Sequence, residues 1–102
     1  MNKSGAVQTE VDGHLFDRQR EAARYKELKL LQQNGDIESL ILHPLFPMVH
    51  DEKKICTYEA DFSYYENDKS VIEDVKGHKT DIYKLKKKMM KIFYGIDIFE
   101  TA

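Results

Sequence analysis

The chain has 102 residues, of which 41% are hydrophobic and 33% are charged, so one soluble globular domain is expected and a disordered chain is excluded. No apolar run is long enough to cross a bilayer, and residues 1–9 lack the apolar centre of a signal peptide. Cys56 is the single cysteine, which excludes an internal disulfide and favours a reducing, intracellular setting.

The net charge of −2 argues against a nucleic-acid-binding protein, but the charges are unevenly distributed along the chain. Residues 76–91 contain seven lysines and one acidic residue, whereas residues 59–74 contain six acidic residues and one lysine. A near-neutral total can therefore combine a basic face with an acidic pocket.

Residues 1–13 are expected to form a flexible N-terminal arm, and residues 14–102 the folded domain. A first helix is predicted from an N-cap at Asp17 to a stop at Asn34–Gly35. Its apolar residues recur at helical spacing and predict a buried stripe: Ala22, Tyr25, Leu28 and Leu31.

Three strands are predicted next. Residues 40–49 are apolar but contain two prolines, which indicate an edge or bulged strand. Residues 55–65 and 70–77 are two further apolar runs separated by a turn at residues 66–69, and they predict a hairpin.

A second helix is predicted after a cap at Thr80 or Asp81, and Gly95 is expected to end it. Residues 96–100 alternate as a last short strand. The predicted buried stripe of this helix is Ile82, Leu85, Met89, Ile92 and Phe93. A lysine face is expected on the opposite side: Lys84, Lys87, Lys88 and Lys91.

The hairpin carries the most informative residues of the chain. In a strand, residues two apart share a face, so Asp74 and Lys76 point the same way and Glu73 points the other way. Asp61 lies on the preceding strand, within reach across the hairpin. Two carboxylates and an ammonium at one place suit a divalent metal, a phosphate and an attacking water, which is the chemistry of a phosphodiesterase.

These residues and this order of elements resemble the PD-(D/E)xK nuclease superfamily. Asp61 matches the first Asp of its motif, and Asp74 and Lys76 match the second acid and the lysine. Ala60 stands where the motif name has Pro. Many members carry a Glu on the first helix, which Glu21 matches.

The resemblance covers residues 14–100 and extends to small phage-encoded nucleases and to Holliday junction resolvases. It implies a restriction-endonuclease-like α/β fold, an αβββαβ core with a central mixed four-stranded sheet flanked by helices.

The resemblance also implies a function. Asp61, Asp74 and Glu21 would hold Mg²⁺ or Mn²⁺, and Lys76 would assist the attacking water. The expected substrate is DNA, branched in structure, and the expected assembly is a homodimer that cuts it at two symmetric positions. A phage-encoded enzyme would act in the host cytoplasm. The expected DNA-binding residues are Lys79, Thr80, Lys84, Lys87, Lys88, Lys91, Arg18 and Arg20.

Several alternatives stay open. The protein could be a nickase or a flap- or end-processing nuclease, a catalytically silent DNA-binding module, or an interaction domain with surface acids. Glu59 is a lesser candidate ligand, and a helix cap is the simpler explanation of Thr80. The histidines His43, His50 and His78 show no metal-ligand spacing.

Overall fold

A computed structural model of the chain describes residues 8–16 and 18–102. No helix within this part of the chain is both long and apolar enough to span a membrane. In chain order the elements are β1 (Thr9–Val11), β2 (His14–Phe16), α1 (Gln19–Gln33), β3 (Glu38–Leu42), β4 (Leu45–His50), β5 (Lys53–Glu59), β6 (Phe62–Glu66), β7 (Lys69–Val75), α2 (Asp81–Tyr94) and β8 (Phe99–Thr101).

The central sheet has four strands in the order β3-β6-β7-β8. The pairs β3–β6 and β6–β7 are antiparallel, and β7–β8 is parallel, so the sheet is mixed. The parallel pair is connected through α2, as a crossover requires. With the two small hairpins β1–β2 and β4–β5 set aside, the order is α1, β3, β6, β7, α2, β8, which confirms the αβββαβ arrangement.

Two of the predicted strands are each broken in the middle. The run at residues 40–49 divides into β3 and β4 around His43–Pro44, and the run at residues 55–65 divides into β5 and β6 around Ala60–Asp61. Proline has no N–H for a strand ladder, and His43 has a positive φ of 51°, so the first strand cannot continue straight. The second half of the first run, β4, pairs with the first half of the second run, β5, as a separate two-stranded sheet.

Part of the segment expected to be a flexible arm has regular structure. Residues 9–11 form β1, which pairs antiparallel with β2. Residues 1–7 lie outside the described residues, as does the expected N-cap Asp17.

The predicted inward face of α1 is confirmed. Ala22, Tyr25 and Leu28 are all buried, and they pack in one core cluster with Phe62 of β6 and Val75 of β7. The helix ends at the expected place, with Asn34 as its C-cap.

The ends of α2 are as predicted, but its buried stripe is not. The Thr80 hydroxyl accepts a hydrogen bond from the Tyr83 N–H, and Gly95 takes the left-handed conformation with φ of 68°. The structure buries Tyr83 and Met90, whereas most of the predicted stripe faces outward. The exposed side chains are Ile82 at 67%, Leu85 at 58% and Ile92 at 78%.

The unpredicted β4–β5 hairpin explains this rotation of α2. Met48 of β4 and Tyr58 of β5 form a second core cluster with Tyr83 and Met90. The helix is also held at both edges of the hairpin, because Lys86 donates to the Thr57 carbonyl at 2.9 Å and Tyr94 donates to the Pro47 carbonyl at 2.6 Å.

Glu73 is buried at the centre of the molecule, with 0% exposure. Arg24 of α1 forms a two-pronged ion pair with its carboxylate, at 2.7 Å from Nε and 3.0 Å from Nη2. The Tyr64 hydroxyl donates at 2.7 Å and the Thr101 hydroxyl at 3.0 Å. The carboxylate therefore joins α1, β6 and β8 to β7, and its hydrogen bond to Arg24 raises the pKa of that guanidinium.

We expect Arg24→Ala to lower the free energy of unfolding by about 3–5 kcal/mol, because it leaves a buried carboxylate without its cation. Urea denaturation followed by circular dichroism would measure the change. Glu27→Ala is the matched control, since Glu27 is the exposed partner of the same guanidinium at 3.2 Å, and it should cost less than about 1 kcal/mol. Equal losses in the two variants would contradict this account of Glu73.

Candidate metal centre

Asp61 lies in the break between β5 and β6, directly before the first residue of β6, an inner strand of the central sheet. Its N–H donates to the Glu73 carbonyl at 3.2 Å, and its Oδ2 accepts the Val75 N–H at 2.7 Å. Continuing the register by one residue from the pair Phe62–Glu73 brings Asp61 beside Asp74. The break therefore turns the Asp61 carboxylate out of the strand pattern and holds it against the end of β7.

His43 lies in the other break and is joined to Asp61 by the backbone. The His43 N–H donates to the Asp61 carbonyl at 2.9 Å, and the Ala60 N–H donates to the Pro44 carbonyl at 3.1 Å. These two bonds close the base of the β4–β5 hairpin. They place an imidazole next to a carboxylate although the two residues are distant in sequence.

Glu21, in the first turn of α1, completes a cluster with these two residues. Its Oε2 lies 2.9 Å from His43 Nε2. One ligand atom from each of Glu21, His43 and Asp61 lies within 4.8 Å of the other two, a spacing that suits a metal ion. The cluster opens into a cavity of about 270 Å³, which is lined by Leu15, Arg18, Glu21, His43, Glu59, Asp61, Val75 and Lys76.

Asp74 and Lys76 lie beside this cluster. The Lys76 ammonium is 3.6 Å from Asp74 Oδ1, and the Tyr58 hydroxyl donates to Asp74 Oδ2. Lys76 Nζ also lies 4.3 Å from the centre of the Tyr83 ring, and the Tyr83 hydroxyl donates to Glu100 at 2.6 Å. Asp74 is 1% exposed, so its carboxylate is held by protein groups.

Burial raises the pKa of two carboxyl groups in this region, Glu21 and Asp74. Desolvation raises the pKa of Glu21 from 4.5 to about 7, an effect that the His43 hydrogen bond opposes and nearby Asp61 reinforces. Desolvation also raises the pKa of Asp74 from 3.8 to about 6, against the attraction of Lys76. Burial is the largest single influence on His43 and opposes its protonation. The hydrogen bond to Glu21 and the negative charges of Glu21, Glu59 and Asp61 together outweigh it, so the pKa of the imidazole is raised.

A divalent cation would relieve this electrostatic cost. Two carboxylates and an imidazole around one polar cavity form a ligand set that divalent metals accept, and binding would displace the proton shared by Glu21 and His43. Glu21, His43 and Asp61 are therefore the residues best placed to hold an ion.

The structure brings together Glu21, Asp61, Asp74 and Lys76, the four residues singled out from the sequence. Glu21 and Asp61 share the three-residue cluster, while Asp74 faces Lys76 and Tyr58 at its edge. Whether Asp74 ligates a metal stays a prediction. Sequence reasoning missed His43, whose one visible signal was its place before a proline that ends a strand.

The expected DNA-binding lysines line a groove of about 500 Å³ beside α2 and β8. Lys79 and Lys87 pair with Glu100 at 3.0 and 3.2 Å, and Lys91 pairs with Asp97 at 2.8 Å. The hydrogen bond from Tyr83, and after it those from Lys79 and Lys87, lower the pKa of Glu100 to about 2.

The remaining candidates of the DNA-binding set differ in their surroundings. Within the described residues, Lys84 and Lys88 have no ion-pair partner. Thr80 uses its hydroxyl as the cap of α2. Arg18 lines the metal cavity, and the Arg20 guanidinium lies so close to Gly77 that a side chain there would meet it, with Nη1 only 2.7 Å from the position of a Cβ.

Comparison with known proteins gives one informative match. The family described as Protein of unknown function (DUF1064) matches residues 1–98, nearly the whole chain. No curated protein and no solved structure matches the sequence or the fold.

We expect the metal-free protein to lose stability as the pH rises from 4.5 to about 7. These limits are the pKa values of Glu21 in the unfolded and in the folded chain. The folded state holds the proton more tightly, so its advantage is complete below pH 4.5 and is lost as Glu21 ionises. The part of this loss that comes from Glu21 should be about 3 kcal/mol and should be absent in Glu21→Gln, which keeps only the loss from Asp74, whose pKa burial raises from 3.8 to about 6. Urea denaturation in EDTA across this range measures it, and an unchanged slope in the variant would contradict the assignment.

Proposed function

The chain belongs to the DUF1064 family, whose description states no function, and we propose that this member is a metal-dependent DNA endonuclease that hydrolyses phosphodiester bonds. The observation that carries the proposal is the cluster of Glu21, His43 and Asp61 beside the ammonium of Lys76. An acidic pocket able to hold a cation, with a cationic side chain at its wall, suits metal-dependent phosphodiester hydrolysis.

The predicted ligands of Mg²⁺ or Mn²⁺ are Asp61, Asp74 and Glu21. When bound, such a cation supplies a polarised phosphate and a more acidic water. Asp61 is the most securely held of the three, since the Val75 N–H already fixes one of its oxygens at 2.7 Å. Asp74 has exchangeable partners, because both Lys76 and the Tyr58 hydroxyl reach its carboxylate.

Lys76 is proposed to orient the attacking water or to stabilise charge on the phosphate. Its side chain is 22% exposed, so the ammonium is shielded yet reachable from the cavity that it lines. Asp74 on one side and the face of the Tyr83 ring on the other hold it in one position. A fixed cation aimed at a phosphate loses little free energy to reorganisation during the reaction.

The lysine groove adjoins this pocket through Tyr83, which lines the groove and lies under Lys76. A DNA backbone could therefore run from the pocket along α2. Lys84 and Lys88 are the proposed first contacts, because their charges are not neutralised within the described residues. Lys79, Lys87 and Lys91 would have to exchange their carboxylate partners for phosphates. Backbone contacts of this kind give slight sequence specificity.

The proposed substrate is branched DNA, as for a Holliday junction resolvase, and the proposed assembly is a homodimer in a reducing intracellular setting. A two-fold dimer matches the near two-fold symmetry of a four-way junction. The exposed apolar side chains Ile82, Leu85 and Ile92 on α2 supply a surface for such a dimer.

A cleavage assay tests the proposal. We expect a labelled four-way junction to receive paired nicks with Mg²⁺ or Mn²⁺ and none with EDTA. Asp61→Asn should reduce the rate at least about 100-fold, and Lys76→Ala about 100- to 10,000-fold, as for loss of a group that assists proton transfer.

Asp36→Asn is the matched control, because Asp36 is an exposed acid on the loop after α1, outside the site. This variant should cut the junction at the wild-type rate. Equal cutting of a linear duplex with the same arms would support the nuclease activity but contradict the preference for junctions. Binding without cutting under either metal would indicate a silent DNA-binding module instead.

The dimer has its own test. We expect the wild type to sediment as a dimer and Ile92→Glu to sediment as a monomer, because a charge would be buried in the interface at a residue that is 78% exposed in the single chain. Leu30→Glu is the control, since Leu30 is a 60% exposed apolar residue on α1. A monomeric wild type, or a dimer that survives Ile92→Glu, would contradict the proposed surface.

A further inference from the structure

The metal-binding cluster contains a nitrogen ligand at an unexpected place. His43 Nε2 points to Glu21 Oε2 at 2.9 Å, and one ligand atom of each of these residues lies within 4.8 Å of a carboxylate oxygen of Asp61. The imidazole side chain is 40% exposed and the Glu21 side chain 12% exposed, so the pair forms the rim and the floor of one pocket. A cation entering the cavity would meet the imidazole before it reached the buried Asp74.

The imidazole is held in place from two directions. The backbone N–H of His43 donates to the Asp61 carbonyl at 2.9 Å, so the main chains of two candidate ligands are joined. The His43 ring packs against Phe16, with ring centres 6.3 Å apart and planes at 65°. The side chain therefore reaches the pocket with Nε2 toward Glu21.

The chemistry of the ligands then determines which cation fits. Mg²⁺ prefers oxygen ligands and keeps several of its waters, whereas imidazole suits transition metals. We infer that His43 is a direct metal ligand together with Glu21 and Asp61, and that the site therefore selects Mn²⁺ over Mg²⁺. The inference rests on the proposed function, since it concerns the cation of that same site, but it is measurable without any DNA.

Pulsed electron paramagnetic resonance on the Mn²⁺-loaded full chain gives the direct test. We expect modulation from a histidine nitrogen, which changes to the ¹⁵N pattern when the protein is grown with ¹⁵N-histidine. The signal should vanish in His43→Gln, which offers an oxygen in place of Nε2. It should persist in His50→Gln, because His50 is 72% exposed and pairs with Asp51 outside the cavity.

Calorimetric titration with each metal alone gives the second readout. His43→Gln should weaken Mn²⁺ binding at least about tenfold, the lower end of the loss caused by removing even an outer partner of a ligand. Mg²⁺ binding should change much less, because the substituted side chain still offers an oxygen. Folding of each variant is checked by its circular dichroism and melting temperature.

The outcomes separate this inference from the nuclease itself. Bound Mn²⁺ without a histidine signal, or equal losses for both metals, would overturn the role of His43 even if junctions are cut. A histidine signal that disappears in His43→Gln would support it even if no DNA is cut, in which case the proposed reaction fails and the metal site stays.

Discussion

The buried ion pair between Arg24 and Glu73 is the constraint on which the rest of the structure depends. A carboxylate with 0% exposure is tolerated only because a guanidinium, a phenol and a hydroxyl from three other elements satisfy its oxygens. The pair also sets the rotation of α1 against the sheet. Glu21 lies three residues before Arg24 on the same side of the helix, so the turn that brings the guanidinium to Glu73 brings Glu21 to Asp61.

Two successive acids of β7 have opposite roles for a geometric reason. Neighbouring side chains of a strand point to opposite faces, so Glu73 points toward α1 and Asp74 points toward Tyr58 and Lys76. The first carboxylate is fully bound by structural partners. The second has a raised pKa and an ammonium beside it, which leaves it able to change partners.

The β4–β5 hairpin connects the second core with the candidate metal site. It covers one side of α2 through Met48 and Tyr58, and its base is closed by the bonds that join His43 to Asp61 and Ala60 to Pro44. The same insertion therefore leaves an apolar stripe of α2 exposed and brings an imidazole into an otherwise acidic cluster. A single departure from a simple series of strands produces both the proposed dimer surface and the proposed nitrogen ligand.

Much of this arrangement follows from local sequence. The caps Thr80 and Gly95, the helical spacing of Ala22, Tyr25 and Leu28, and the hairpin turn before β7 are signals within a few residues, and each predicted its element correctly. The nearness of Asp61, Asp74 and Lys76 follows from the hairpin, whereas the mixed sheet was expected only from the family resemblance.

What the sequence by itself determined is thus the two helices, the β6–β7 hairpin and which face of β7 each acid occupies, because these depend on periodicity and on short-range hydrogen bonds. Only the tertiary structure decided which side of α2 is buried and that His43 meets Glu21, residues separated by 22 positions. Both outcomes depend on two breaks in the strands closing against each other. No local pattern records that pairing, because its energy comes from contacts that exist only after the chain has folded.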